Sequence, residues 1–245
     1  MTEYGKALSV TQTPIPGLVV FDLPVHGDAR GWFSETYRAD ILARAGIADV
    51  FIQDNQSFSA PRGTVRGLHF QRAPMAQAKL IRVLAGAILD VAVDLRRASP
   101  TYGRHVAVRL DAQGGEQLYI PVGFGHGFCT LEPDTMVAYK VAGGVYSPEH
   151  DGGLLWNDPA LGIDWPREAP LQLSLKDEAA PSLAEAEGIT ILGWRDLPVD
   201  VDGADIGETA VGCMPFMAQL FVTVEPEPGQ PRLGGVDLDR YIYPF

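Results

Sequence analysis

Cysteine is scarce in this chain. Cys129 and Cys213 are the only two in 245 residues, so a disulfide framework is excluded, and neither lies in a CxxC or Cys/His cluster of the kind that holds zinc. Both read as buried or bystander thiols. Long apolar runs are missing too: no stretch of 18 apolar residues exists to span a bilayer. Glu3 and Lys6 ahead of Pro14 and Pro16 leave no apolar signal core, so the sequence predicts a cytoplasmic protein. Basic residues are few, 19 Lys and Arg against 31 Asp and Glu, and the net charge of −12 excludes a general affinity for nucleic acid or anionic membrane. Those few cations can still converge on an anionic small ligand.

Helical periodicity is nearly absent from the first two hundred residues. The best helix candidate runs from Ala39 to Ala48, with Asp40 near its start and Gly46 at its end. Short extended segments precede it, at residues 15–22 and 32–37, separated by a Gly/Asp turn at 26–31. From Phe51 to Tyr146 short apolar runs alternate with Gly, Pro, Asp and Asn. The runs are 51–53, 64–66, 79–84, 87–95, 105–110, 117–120, 127–131 and 136–141. This texture predicts an all-β, double-sheet jelly roll with few short helices, and the lack of a βαβ rhythm disfavours a doubly wound fold. In 87–96, Asp90, Ala92, Asp94 and Arg96 alternate with Leu89, Val91, Val93 and Leu95; the polar face either lines a cavity or, as is commoner, meets solvent.

Arg66-Gly67-Leu68-His69-Phe70-Gln71 sets a cation and an imidazole three residues apart on an apolar strand. The alternation is imperfect around Gly67, and a glycine inside a strand lets a ligand or another backbone approach closely. By itself the pair reads equally as a core histidine beside a surface arginine. A general base would need a carboxylate to orient it, for which Asp177 is a candidate, and a partner acid, for which Tyr139 and Tyr146 are candidates. Arg66, Lys79 and Arg30 could bind phosphate or stabilise an enolate. Each has a plain alternative: Tyr139 as a core aromatic, Lys79 as a snorkelling strand residue, Asp177 as a turn or cap. His69 is followed by Phe70 and Gln71 rather than a second histidine, and His126 stands alone between glycines, so no catalytic metal is expected.

With the motifs 28–35 (DARGWFSE), 53–57 (QDNQS), 79–83 (KLIRV), 90–96 (DVAVDLR), 99–103 (SPTYG), 119–128, Tyr139-Lys140, 156–159 (WNDP) and 174–177 (SLKD) in the same order, the chain resembles the dTDP-4-dehydrorhamnose 3,5-epimerases over residues 15 to about 183. The resemblance implies a cupin-type jelly roll, a homodimer, and a cofactor-free, metal-free enzyme acting on a nucleoside-diphosphate 4-keto-6-deoxyhexose. It implies His69 as the base at C3 and C5, Asp177 as its orienting partner, Tyr139 as the acid on the opposite face, and Lys79 with Arg66 at the enolate and diphosphate. Arg30, Phe33, Glu35, Gln53, Asn55, His126 and Tyr146 would contribute binding, some across the dimer. The family's second tyrosine follows the first by six residues in a Tyr-Tyr-x-Pro context; here Val145 precedes Tyr146 and the spacing is seven, which a one-residue bulge would absorb. That departure keeps a single-site epimerase or keto-isomerase as an alternative, beside a catalytically silent jelly-roll binding module.

Residues 1–186 are expected to form the epimerase domain and 187–245 an extension. Within the extension, 191–200, 214–222 and 239–243 resemble a fragment of the amidotransferase domain of glutamate synthase large subunits. That class uses an N-terminal cysteine, whereas Thr2 follows Met1 here, so no glutaminase activity is expected.

Overall fold

The computed structural model describes residues 8–186, all within one compact unit, and everything below concerns them. The extension and Cys213 lie outside these residues. In chain order the elements are β1 (Ser9–Gln12), β2 (Val19–Asp22), β3 (His26–Asp28), β4 (Gly31–Phe33) and helix α1 (Ala39–Arg44). The longer strands follow: β5 (Phe51–Ser59), β6 (Val65–Gln71), β7 (Gln77–Ala85), β8 (Ala87–Asp94), β9 (His105–Asp111), β10 (Gln117–Ile120), β11 (Phe124–Thr130) and β12 (Thr135–Gly143). After a 3-10 turn at Pro148–His150 come β13 (Asp151–Gly153) and the one-turn helix α2 (Leu175–Glu178). No helix among them is long and apolar enough to cross a membrane.

The strands form two antiparallel sheets in the orders β1-β2-β10-β7-β12-β5 and β13-β6-β11-β8-β9, with β3-β4 as a separate hairpin. Ile81, Val83, Leu118, Ile120 and Val137 of the first sheet pack against Ile88, Ala92, Leu110, Phe124 and Phe128 of the second. This is the double-sheet jelly roll that the run lengths predict. Each such side chain contributes about 1.5–3 kcal/mol on burial, which is why the alternating apolar faces turn toward each other.

Three expectations need correction. The helix stops at Arg44 rather than Ala48, because Ala45, Gly46 and Ile47 close it with amide bonds back to Ile41, Leu42 and Ala43. The extended segment predicted at 32–37 is a strand only to Phe33. The polar face of β8 does not meet solvent: Asp90 and Asp94 are fully buried and Arg96 nearly so. Leu89, Val91, Val93 and Leu95 pack outward instead under Leu154, Leu161 and Trp165, so both faces of β8 are covered. Asp94 is tolerated there because Arg96 donates to both of its oxygens, at 2.8 and 2.7 Å, and Ser99 and Thr101 donate at 2.6 Å.

Candidate active site

In a regular strand Arg66 and His69, an odd number of residues apart, would point to opposite faces. The pairing of β6 with β11 removes the conflict. His126 stands opposite His69 and Phe128 opposite Arg66, so Gly67 and Leu68 together face the single residue Gly127. This bulge resets the alternation and brings both side chains to one cavity. It forms because Gly67 has no side chain: a Cβ there would lie 2.5 Å from Gly127 Cα and 2.7 Å from the His126 carbonyl oxygen, at φ +123°.

The cavity measures about 480 Å³ and is lined by Arg66, His69, Lys79, His126, Tyr139 and Asp177. A neighbouring space of about 490 Å³ shares His69, Lys79 and Tyr139 and adds Gln53, Asn55 and Tyr146. His69 Nε2 lies 2.6 Å from Asp177 Oδ1. Asp177 is buried on α2, where the Ser174 side chain caps the helix by accepting the Asp177 amide. With Nε2–H donating to the carboxylate, Nδ1 keeps its lone pair, the arrangement a general base requires.

Lys79 comes from the facing sheet, on β7. Burial pushes its ammonium down to about 8, against the opposing charges of Asp90 and Asp151. Tyr139 is also on that sheet, flanked by Asn55 on β5 and Ile81 on β7, with its ring packed on the central core. The imidazole and the phenol therefore approach the cavity from opposite sheets. His126 is buried and 2.7 Å from Asp90 Oδ1, and burial lowers its pKa against the pull of that carboxylate. Among the described residues, no three His, Cys, Asp or Glu side chains cluster as a metal site would require.

Residues 12–185 match the family model described as dTDP-4-dehydrorhamnose 3,5-epimerase. The chain belongs to the dTDP-4-dehydrorhamnose 3,5-epimerase family. It is 54% identical over 160 residues to the enzyme of that name from Sinorhizobium fredii, covering 65% of this chain and 81% of the relative. It is 42% identical to a dTDP-4-dehydrorhamnose 3-epimerase from Streptomyces niveus, covering 67% and 79%. The crystal structure of the Bacillus anthracis 3,5-epimerase, with TDP and pyrophosphate bound, superposes with a TM-score of 0.69 at 48% identity and covers 72% of this chain and 99% of that one.

Within this epimerase fold, Arg30, Phe33 and Glu35 do not join the cavity. They sit on or beside the exposed β3-β4 hairpin, Arg30 paired with Asp28 and Glu35 with Arg38. The predicted bulge near the second tyrosine is displaced as well. Val141 pairs with Gln53 and Ala142 with Phe51, so the extra residue is Ile52 on β5, not one in β12. The added length before Tyr146 runs through Gly143 and Gly144, which pass against the Ala76 carbonyl and Met75 Cα too closely for a side chain.

The cavities also recruit Ser57, Asp151 and Lys176, which sequence reasoning missed. Ser57 continues the period of two set by Gln53 and Asn55, a signal that was present. Lys176 pairs with Asp151, which raises its pKa, and only the folded chain brings β13 beside α2.

Proposed function

We infer that this chain is an epimerase that inverts C3 and C5 of dTDP-4-dehydro-6-deoxy-D-glucose, giving dTDP-4-dehydro-L-rhamnose. The observation that carries this reading is the placement of His69, bonded to Asp177 of α2, on one sheet and Tyr139 on the other. Inversion needs a proton removed from one face of a ring and returned to the other, and a sugar held between the sheets would present one face to each. His69 Nδ1 takes the proton next to the C4 ketone, and Asp177 stabilises the imidazolium that results. Lys79 stabilises the enolate oxygen with a charge brought close by burial. Tyr139 delivers the proton on the far side, and the same exchange at the second carbon completes the reaction. Arg66, Gln53 and Asn55 bind the diphosphate, and His126 and Tyr146 hold sugar and base. No cofactor is required, because the ketone itself acidifies both C–H bonds.

A homodimer is part of this reading. Trp32 and Phe33 on the β3-β4 hairpin are 59% and 69% exposed, a poor state for two aromatic side chains in water. A hairpin that reaches a partner's cavity would cover them and bring Arg30 and Glu35 to the nucleotide. The enzyme would work in the cytoplasm, with residues 187–245 a non-catalytic extension whose removal leaves turnover and dimerisation unchanged.

The test is turnover of dTDP-4-dehydro-6-deoxy-D-glucose in deuterated water with the product resolved by proton NMR. Wild type should place deuterium at both C3 and C5, and His69→Asn should place none. Exchange at the wild-type rate in His69→Asn would remove the proposed base. A second reading, inversion at one centre only, is favoured by the extra residue between Tyr139 and Tyr146. Deuterium at a single carbon would establish it.

A further inference from the structure

Asp90 has no role in the chemistry set out above, yet it is the fully buried carboxylate nearest to it. It lies on the inward face of β8, where Phe128 of β11 stands opposite it and His126 lies diagonally across. Its Oδ1 accepts from His126 Nε2 at 2.7 Å, while Oδ2 is buried without a hydrogen-bond partner among the described residues. An unpaired carboxylate oxygen in such a place costs stability, about 1–3 kcal/mol or more for a charged group, and calls for a reason. Contrast Asp94 four residues along the same face, whose two oxygens take five hydrogen bonds. Asp94 is fully satisfied as a staple; Asp90 is half satisfied beside the cavity.

The charged and titratable groups around Asp90 come from three strands. His126 lies on β11, Lys79 on β7 of the other sheet lines the same cavity as His126, and His69 on β6 pairs across to His126. Of these, His69 is already held by Asp177. Lys79 has no carboxylate at ion-pair distance among the described residues; Asp90 and, second, Asp151 of β13, itself paired with Lys176, favour its charged form. We propose that Asp90 is a positioning residue: through Oδ1 it fixes the His126 ring with Nε2–H inward and Nδ1 toward the cavity, and through its uncompensated charge it keeps the Lys79 ammonium cationic at the enolate. The division of labour follows. His126, neutral and presenting a lone pair, suits a substrate hydroxyl, whereas Lys79, a cation, suits the oxygen on which negative charge develops. One buried anion thus sets the polarity of two cavity residues on opposite sheets.

This inference rests on the epimerase reading for what the cavity binds, but its direct test does not need turnover. In wild type carrying 15N-histidine, His126 should show a proton on Nε2 with a downfield, slowly exchanging resonance that moves upfield in Asp90→Asn. In protein carrying 13C-lysine, the Lys79 titration should move to lower pH in Asp90→Asn, because an anion that favoured the cation is gone. With substrate, the basic limb of kcat/KM should shift to lower pH in the same sense, with kcat down at least tenfold and KM changed less than about threefold. Wild-type His126 protonated only on Nδ1 would overturn the proposal even if no Asp90 variant folds, and an unmoved Lys79 titration in a folded Asp90→Asn would overturn it too. Failure of the epimerase reading would appear separately, as wild type that gives no product while both spectroscopic results stand.

Discussion

Gly67→Ala tests the link between the bulge in β6 and the chemistry at His69. The added methyl would sit 2.5 Å from Gly127 Cα and 2.7 Å from the His126 carbonyl, and both contacts are backbone, which cannot rotate away. Two costs combine. An L side chain at φ +123° carries about 1–3 kcal/mol of backbone strain. Forcing β6 away from β11 adds about 1–3 kcal/mol of overpacking. The total, about 2–6 kcal/mol, is a large part of the roughly 5–15 kcal/mol that stabilises a domain. Gly115→Ala separates the two terms, since its φ is +74° and no atom lies within 4 Å of the built Cβ, leaving about 1–2 kcal/mol of strain alone. The kinetic effect should be larger than the stability effect. His69 is two residues from the clash and is held to Asp177 at 2.6 Å, so displacement of β6 moves the proposed base relative to Tyr139 on the other sheet. Misplacement by about 1 Å costs on the order of 100-fold in rate. Urea unfolding and steady-state turnover of both variants provide the measurement. If Gly67→Ala unfolds within 1 kcal/mol of Gly115→Ala, on the scale just derived, and retains its kcat, the bulge does not position the base.

Tyr139→Phe should keep exchange of substrate protons with solvent, because His69 remains, while product formation falls by roughly 10²–10⁴-fold; loss of exchange and product together would place Tyr139 in the abstraction step instead. Activity should decline as pH rises through about 8, where Lys79 loses its charge, and Lys79→Met should abolish this limb along with most of kcat; a limb near the ordinary lysine range would contradict the burial argument. Asp94→Ala removes the carboxylate that the buried Arg96 pairs with and should cost about 3–5 kcal/mol in urea unfolding. Burial raises the pKa of Asp94, but the bonds from Arg96, Ser99 and Thr101 outweigh it and hold the carboxyl below 3.8. Its contribution is therefore present above that pH and lost as pH falls through the folded-state value, so acidification below about 4 should destabilise wild type more than Asp94→Ala.

The strands of the central part were readable as short apolar runs bounded by turn residues, although β5 and β6 extend well past the predicted 51–53 and 64–66. Lys79 and Tyr139 could be placed on strands in the same way, whereas Asn55 fell beyond the predicted run 51–53 and lies within β5. What the pattern does not carry is anything decided between strands. The bulge that joins Arg66 to His69 depends on a second glycine, Gly127, sixty residues away. The exposed Arg30, Phe33 and Glu35 match family motifs but stand off the cavity of their own chain, because the path of the β3-β4 hairpin is not written in the local pattern.

Strand β8 is the clearest instance. Asp90, Ala92 and Asp94 alternating with Leu89, Val91 and Val93 is the pattern of a half-solvated strand, since an unpartnered carboxylate is cheap in water and expensive inside. The structure reverses it because partners exist: Arg96, Ser99 and Thr101 lie within seven residues of Asp94, where a close reading could find them, but His126, which bonds Asp90, is 36 residues away on β11. A local network can be read along the chain, whereas a carboxylate whose partners come from other strands reads as surface. The sequence signal for Asp90 is accordingly the same as that for a solvated aspartate; its burial, its bond to His126 and an Oδ2 without a partner among the described residues distinguish the two.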